Sequence, residues 1–185
     1  GTDCMAKIKI IAHLADIHIR KLRRFVEYRE VFELLYKKLR SLSPDLIFIG
    51  GDIVHGKLDT SPEEIRLIAD FFLSLSNISP LIVIPGNHDC NLNNRSREDT
   101  LSPIIDLVKK INKNVHYFKH SGRYTIKNVD FGVLSIFDRD THGNQIVHNL
   151  PDPKEMANDH KIALFHGGVG TFIVDTGLTM SDKRV

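Results

Sequence analysis

Tryptophan is absent from this chain, and cysteine occurs only at Cys4 and Cys90. Two cysteines among 185 residues cannot staple a disulfide framework; they fit a reducing compartment, and the expected location is cytoplasmic. A strong charge of one sign is also lacking. Lys and Arg number 25 against 23 Asp and Glu, a net of +2, so the basic bias that by itself marks nucleic-acid binding is missing. No apolar run approaches the ~18–20 residues of a membrane-crossing helix, and the start lacks the basic-then-apolar layout of a secretory signal. With no internal repeat, low-complexity tract or evident linker, residues 1–185 read as a single soluble domain.

What is present is enough apolar material, 42% of residues with ten Phe, to build a core. Four short runs rich in Ile and Leu share one layout: Ile8 to Leu14, Leu46 to Ile49, Leu81 to Ile84 and Ile162 to Phe165. They lack strict alternation, which predicts strands buried on both faces. Between the first three lie helical patterns. One carries Phe25, Val26, Val31, Phe32, Leu34, Leu35 and Leu39 as its apolar stripe. A second starts at Ser61-Pro62-Glu63-Glu64 and buries Ile65, Ile68, Ala69, Phe72 and Leu75, and a third covers Pro103 to Ile111. Strand and helix in alternation predict an α/β fold with right-handed crossovers and a largely parallel sheet. Val115 to Phe118, Tyr124 to Lys127 and Phe131 to Phe137 read as shorter strands, and the polar stretch from Asp138 to Asp159 as loop.

Each of the four runs ends in a polar cluster: Asp16-Ile17-His18, Gly50-Gly51-Asp52, Gly86-Asn87-His88-Asp89 and His166-Gly167-Gly168. Ligands of open α/β sheets bind beyond the carboxyl ends of the strands, so these clusters can converge on one rim. Asp oxygen, His nitrogen and Asn carbonyl oxygen suit divalent ions such as Mn, Fe or Zn. Two ions roughly 3.5–4 Å apart can clamp a phosphate and acidify a shared water into a nucleophile. Singly, Asp16, Asp52 and Asn87 are ordinary turn residues. As an ordered set they point to chemistry. His13 reads as a strand residue with a satisfied hydrogen bond, His116, His120, His142, His148 and His160 as surface residues, and Cys90 as a plain buried or half-buried thiol.

In order and spacing, Asp16-x-His18, Gly51-Asp52, Gly86-Asn87-His88-Asp89 and His166-Gly167 resemble the motifs of the calcineurin-like metallophosphoesterases. The resemblance implies a two-sheet sandwich flanked by helices and two divalent ions, with Mn foremost and Fe, Zn or Mg as alternatives. It further implies that Asp16 and His18 bind one ion, Asp52 bridges, Asn87 and His166 bind the other, and His88 assists the leaving oxygen. Within the family, Leu14-Ala15-Asp16-Ile17-His18, Gly51-Asp52-Ile53-Val54-His55 and Ile84-Pro85-Gly86-Asn87-His88-Asp89 look most like the SbcD-type nuclease subunits of double-strand-break repair complexes. That implies a DNA exonuclease or endonuclease with an SMC-like ATPase partner, and it places His55 near the DNA strand. Arg20, Lys21, Arg23 and Arg24 follow His18, and Arg20 and Arg23 are candidate phosphate contacts, since basic residues at a helix start oppose its macrodipole.

One departure stands out. The family's last motif, Gly-His-x-His, gives one ligand to each ion, and it does not occur in the 19 residues after His166. The expectation is a domain truncated at Val185, weakly active or inactive, whose exposed sheet edge favours a homodimer. Two other readings stay open: a non-catalytic module that binds DNA or a partner protein, and a small-molecule phosphatase.

Overall fold

A computed structural model of the chain describes residues 7–19, 25–55, 60–90, 98–167, 171–173 and 179–181. Its first sheet holds four parallel strands in sequence order: β1 (Ile11–Leu14), β2 (Leu46–Ile49), β3 (Leu81–Val83) and β4 (Val115–Tyr117). The crossovers are α1 (Phe25–Leu42), α2 (Pro62–Ile78) and α3 (Leu101–Ile111). The second sheet is β5 (Gly122–Ile126), β6 (Val129–Leu134) and β7 (His160–Phe165), antiparallel and then parallel. A small antiparallel pair, β8 (Thr171–Ile173) and β9 (Thr179–Ser181), follows.

The unbroken apolar runs of β2 and β3 have a simple cause. Successive strand side chains point to opposite faces, and both faces of the first sheet are covered. Ile47, Ile49, Leu81, Val83 and Val115 pack against the helices. Leu46, Phe48, Ile82 and Ile84 pack against Phe131, Val133 and Leu164 of the second sheet. The layers are therefore helices, sheet, sheet, which is the mixed α/β sandwich expected.

Several details differ from expectation. Ile162 to Phe165 is not a strand buried on both faces of one parallel sheet; β7 is an edge of the second sheet and Phe165 is 45% exposed. β1 is likewise an edge, shorter than the run suggested, and His13 lies exposed on it with its ring 4.9 Å from Phe48. β4, grouped from sequence with the middle strands, completes the first sheet. His116 within it is half-buried, not a surface residue. The α1 stripe is narrower: Phe32, Tyr36 and Leu39 are buried while Val26, Val31 and Leu34 are exposed. Tyr36 belongs to the core, and burial lifts its phenol to about 12. On α2 the buried face carries Leu67 and Phe71, and Ile65 is exposed. The stretch after β6 contains two single-turn 3-10 helices, Val147–Asn149 and Pro153–Glu155.

Caps follow local chemistry. Ser61 accepts from the Glu64 N–H at 3.2 Å, with Pro62 opening α2. At α3 the cap is Asp99, whose carboxylate accepts from the N–H groups of Leu101 and Ser102, so the helix begins two residues before Pro103. Lys119 meets the same carboxylate at 2.9 Å. Burial alone would raise the Asp99 carboxyl, but the Ser102 hydroxyl and Lys119 hold it below its ordinary value of 3.8.

Two outcomes follow for stability. Phe71 is fully buried and its ring stacks 4.2 Å from Phe32, so Phe71→Ala should lower unfolding free energy by about 3–5 kcal/mol in a urea titration. Because the folded-state value of Asp99 is depressed, its contribution is present above about pH 4 and is lost as pH falls through the folded value. The stability gap between wild type and Asp99→Asn should therefore narrow on acidification; a gap constant down to acid unfolding would contradict this assignment.

Candidate metal centre

Three loops leave the carboxyl ends of β1, β2 and β3 and lock together. The His18 N–H donates to the Asp52 carbonyl at 2.9 Å, the Ile19 N–H to Ile53 at 2.7 Å, and the His55 N–H to Ile19 at 3.0 Å. Asp16, His18 and Asp52 hold φ of 52°, 49° and 51°, a left-handed conformation that non-glycine residues seldom adopt. Such backbone persists only where its surroundings over-determine it. Gly51 (φ 93°) and Gly86 supply the close approach: a Cβ on Gly86 would collide with Asp52, and one on Gly51 would strike Gly86 and the His166 ring.

Onto this frame the side chains converge. Asp52 is the centre, its side chain 7% exposed, while Asp16 sits at the mouth with 66%. Asp52 Oδ1 accepts from the His88 N–H at 2.9 Å. Asp52 Oδ2 lies 3.2 Å from His166 Nε2 and 3.8 Å from His18 Nε2. His18 Nε2 is also 3.8 Å from Asp16 Oδ1, and ligand atoms of Asp16, Asp52 and His166 all lie within 4.8 Å of one another. Ligands with bonds of about 2.1 Å to one cation stand about 3–4.2 Å apart, a range that the 3.2 and 3.8 Å separations fall in.

His166 Nδ1 donates to the Gly50 carbonyl at 2.7 Å, leaving a lone pair on Nε2 of the neutral ring. Asn87 Oδ1 stands 3.0 Å from that nitrogen. Asn87 Oδ1, Asp52 Oδ2 and His166 Nε2 are thus three acceptors turned towards one another. A cation between them relieves the conflict; so does a proton on His166, or a turn of the Asn87 amide that points its NH2 at His166 and Asp52. The titration behaviour has the same sign. Burial would lower His166, yet its bonds to Asp52 and the Gly50 carbonyl raise it above its ordinary value. Burial would raise Asp52, yet His166 and the His88 N–H hold it below. The pocket favours positive charge, and its oxygen and nitrogen donors fit a divalent ion.

His88 and His55 complete the rim. His88 Nδ1 donates to the His55 carbonyl at 2.9 Å, and the two rings stack with centroids 5.5 Å apart. The structure thus brings together Asp16, His18, Asp52, Asn87, His88 and His166, with His55 beside them; Arg20 and Arg23 lie outside the described residues. From this centre an open cleft of about 1270 Å³ runs between the edge strands β1 and β7. Arg139 and Gln145, from the segment read as loop, also line it. Arg139 is held there by the carbonyls of Ile136 and Gly143. Gln145 Nε2 is buried without a hydrogen-bond partner among the described residues.

Asp89 closes the Gly86-Asn87-His88-Asp89 motif. It is fully buried, and its carboxylate accepts from the backbone N–H groups of Ile53 and Val54 through Oδ1 and of Gly86 through Oδ2. Those three donors belong to the loops that carry Asp52 and Asn87. Burial pushes the Asp89 carboxyl up to about 7 against the pull of these N–H groups. Asp89→Asn keeps the shape but turns an NH2 towards one of these N–H donors. An orphaned buried donor costs about 1–3 kcal/mol, so the variant should lose that much stability in denaturant titration and bind Mn2+ more weakly. Unchanged values of both would refute this role.

The chain has relatives among known proteins. The chain is 43% identical over 187 residues to uncharacterized protein R555 of Acanthamoeba polyphaga mimivirus, covering 99% of this chain and 14% of that protein. It is 29% identical over 140 residues to the DNA double-strand break repair protein Mre11 of Nanoarchaeum equitans (strain Kin4-M), 70% of this chain and 38% of that protein. The crystal structure of Pseudomonas putida nuclease MPE aligns with 92% of this chain and 67% of its own, at 16% identity and a TM-score of 0.44. The chain therefore spans well under half the length of these two curated relatives. Residues 10–182 match the calcineurin-like phosphoesterase family, and the chain belongs to that family.

Proposed function

We propose that this chain is the phosphodiester-cleaving part of a DNA nuclease that acts in recombination and double-strand-break repair. One observation carries the reading: Asp52 Oδ2 lies 3.2 Å from His166 Nε2 and 3.8 Å from His18 Nε2, with Asp16 and Asn87 beside these histidines. In this reading Asp16 and His18 hold one divalent ion, Asn87 and His166 the other, and Asp52 both. When bound, the pair supplies Lewis-acid polarisation of the phosphoryl group and an acidified water. Manganese is the ion this reading takes from the motif resemblance; oxygen and imidazole donors together also suit Fe and Zn.

The chain's own residues then bind, orient and move a proton. Asp52 is fixed by the His88 N–H before substrate arrives, so its carboxylate needs little reorganisation at the moment of reaction. His88, anchored through Nδ1 to the His55 carbonyl, presents Nε2 as the acid that protonates the departing sugar oxygen. His55 stacks on His88 and contacts the strand. Arg20 and Arg23 neutralise backbone phosphates, and Arg139 and Gln145 line the approach. DNA as substrate is supported by the motif resemblance and by the 29% identity to Mre11. An SMC-like ATPase is the partner this reading assigns to the whole protein.

The test is Mn2+-supported hydrolysis of bis-p-nitrophenyl phosphate and of single-stranded DNA. His88→Ala should lower turnover by about 10²–10⁴ with Mn2+ affinity retained, whereas Asn87→Ala should lower affinity itself. Unchanged turnover in either variant would reject the roles. Preference for phosphomonoesters over DNA would favour a small-molecule phosphatase instead.

A further inference from the structure

The rim carries a second constellation, three histidines to which the two-ion reading gives separate roles. His18, His55 and His88 come from three different loops, yet their ring centroids form a near-equilateral triangle: 5.1 Å from His18 to His88, 5.5 Å from His55 to His88 and 5.6 Å from His18 to His55. One nitrogen of each lies within 4.8 Å of one nitrogen of the others. No carboxylate belongs to this group, in contrast to the Asp16, Asp52 and His166 cluster beside it.

The triangle has the dimensions of a three-imidazole metal site. Three rings aimed at one ion with bonds of about 2.1 Å and near-tetrahedral angles place their centroids roughly 5 Å apart. The supporting hydrogen bond is also present: His88 Nδ1–H donates to the His55 carbonyl, which leaves Nε2 as the lone pair, the arrangement that holds metal-ligating histidines in one tautomer. His18 adds an independent sign. Its Nε2 faces the two carboxylates, but its Nδ1 is buried and has no hydrogen-bond partner among the described residues. That ring therefore has coordinating capacity that the carboxylate pair leaves unused.

We propose that His18, His55 and His88 form an imidazole-only site for Zn2+ or a similar borderline-soft ion, and that filling it switches the catalytic centre off. Ligand chemistry separates the two sites: neutral imidazoles without carboxylate select Zn2+, Cu2+ or Ni2+ over Mn2+ and Mg2+. The inhibition rests on the function proposed above, because a cation on His88 removes the leaving-group acid. Binding at the triangle does not depend on that function.

Co2+ is the probe, since four-coordinate Co2+ gives intense visible d–d bands that Zn2+ abolishes on displacement. His55 is exposed and outside the carboxylate cluster, so His55→Ala should remain folded, as circular dichroism verifies. Wild type and Asp16→Asn should both show the bands. His55→Ala should lose them, with a fall in Zn2+ affinity of at least the ~10–100-fold that loss of a supporting hydrogen bond already causes. Excess Zn2+ added to Mn2+-loaded wild type should then suppress phosphodiester hydrolysis. Bands retained at wild-type affinity in His55→Ala, or lost in Asp16→Asn, would overturn the site. Bands as expected in a wild type that hydrolyses nothing would instead sink the proposed function and leave the site standing.

Discussion

The carboxylate of Asp52 is where the molecule's constraints meet. Oδ1 is fixed by the His88 N–H and Oδ2 is left between two histidines from opposite ends of the sequence. Its backbone carbonyl, meanwhile, binds the loop after β1. A side chain 7% exposed that keeps its charge needs compensation, and the His88 N–H and the His166 imidazole supply it. The strained φ at Asp16, His18 and Asp52 are tolerable because the same hydrogen bonds that create the site also hold its backbone.

Behind Asp52 stands a rigid frame. β2 and β3 are sealed on both faces, by Phe71 and its neighbours on one side and by Phe131 and Val133 on the other, so the loops at their ends start from fixed points. Asp89 then ties two of these loops beneath the surface. The divalent-ion chemistry of a calcineurin-like phosphoesterase thus rests on packing and buried hydrogen bonds that never touch a substrate.

Much of this was legible in the residues, and the reason is a rule of placement. Strands of a parallel sheet deliver their following loops to one rim, so Asp16, His18, Asp52, Asn87 and His88 could be joined before any coordinates. His166 stands out by its motif, although its strand is a partly exposed edge of the second sheet and not a strand buried on both faces. The pairing of β7 with β6 is a long-range choice that composition does not encode. Helix faces failed for a related reason. Tyr36 outranks Val31 in the core because of where Phe71 and Phe32 sit, and periodicity alone cannot tell which apolar stripe faces the sheet. Asp89 was hidden in plain view: a buried acceptor of backbone donors has the same letter as a catalytic acid.

The central claim is that one carboxylate joins two cations. Low-temperature electron paramagnetic resonance of the chain with two equivalents of Mn2+ tests it directly. An exchange-coupled pair that vanishes in Asp52→Asn, together with tight binding, is the result predicted here. Isolated Mn2+ signals in the wild type, unaltered by Asp52→Asn, would contradict it.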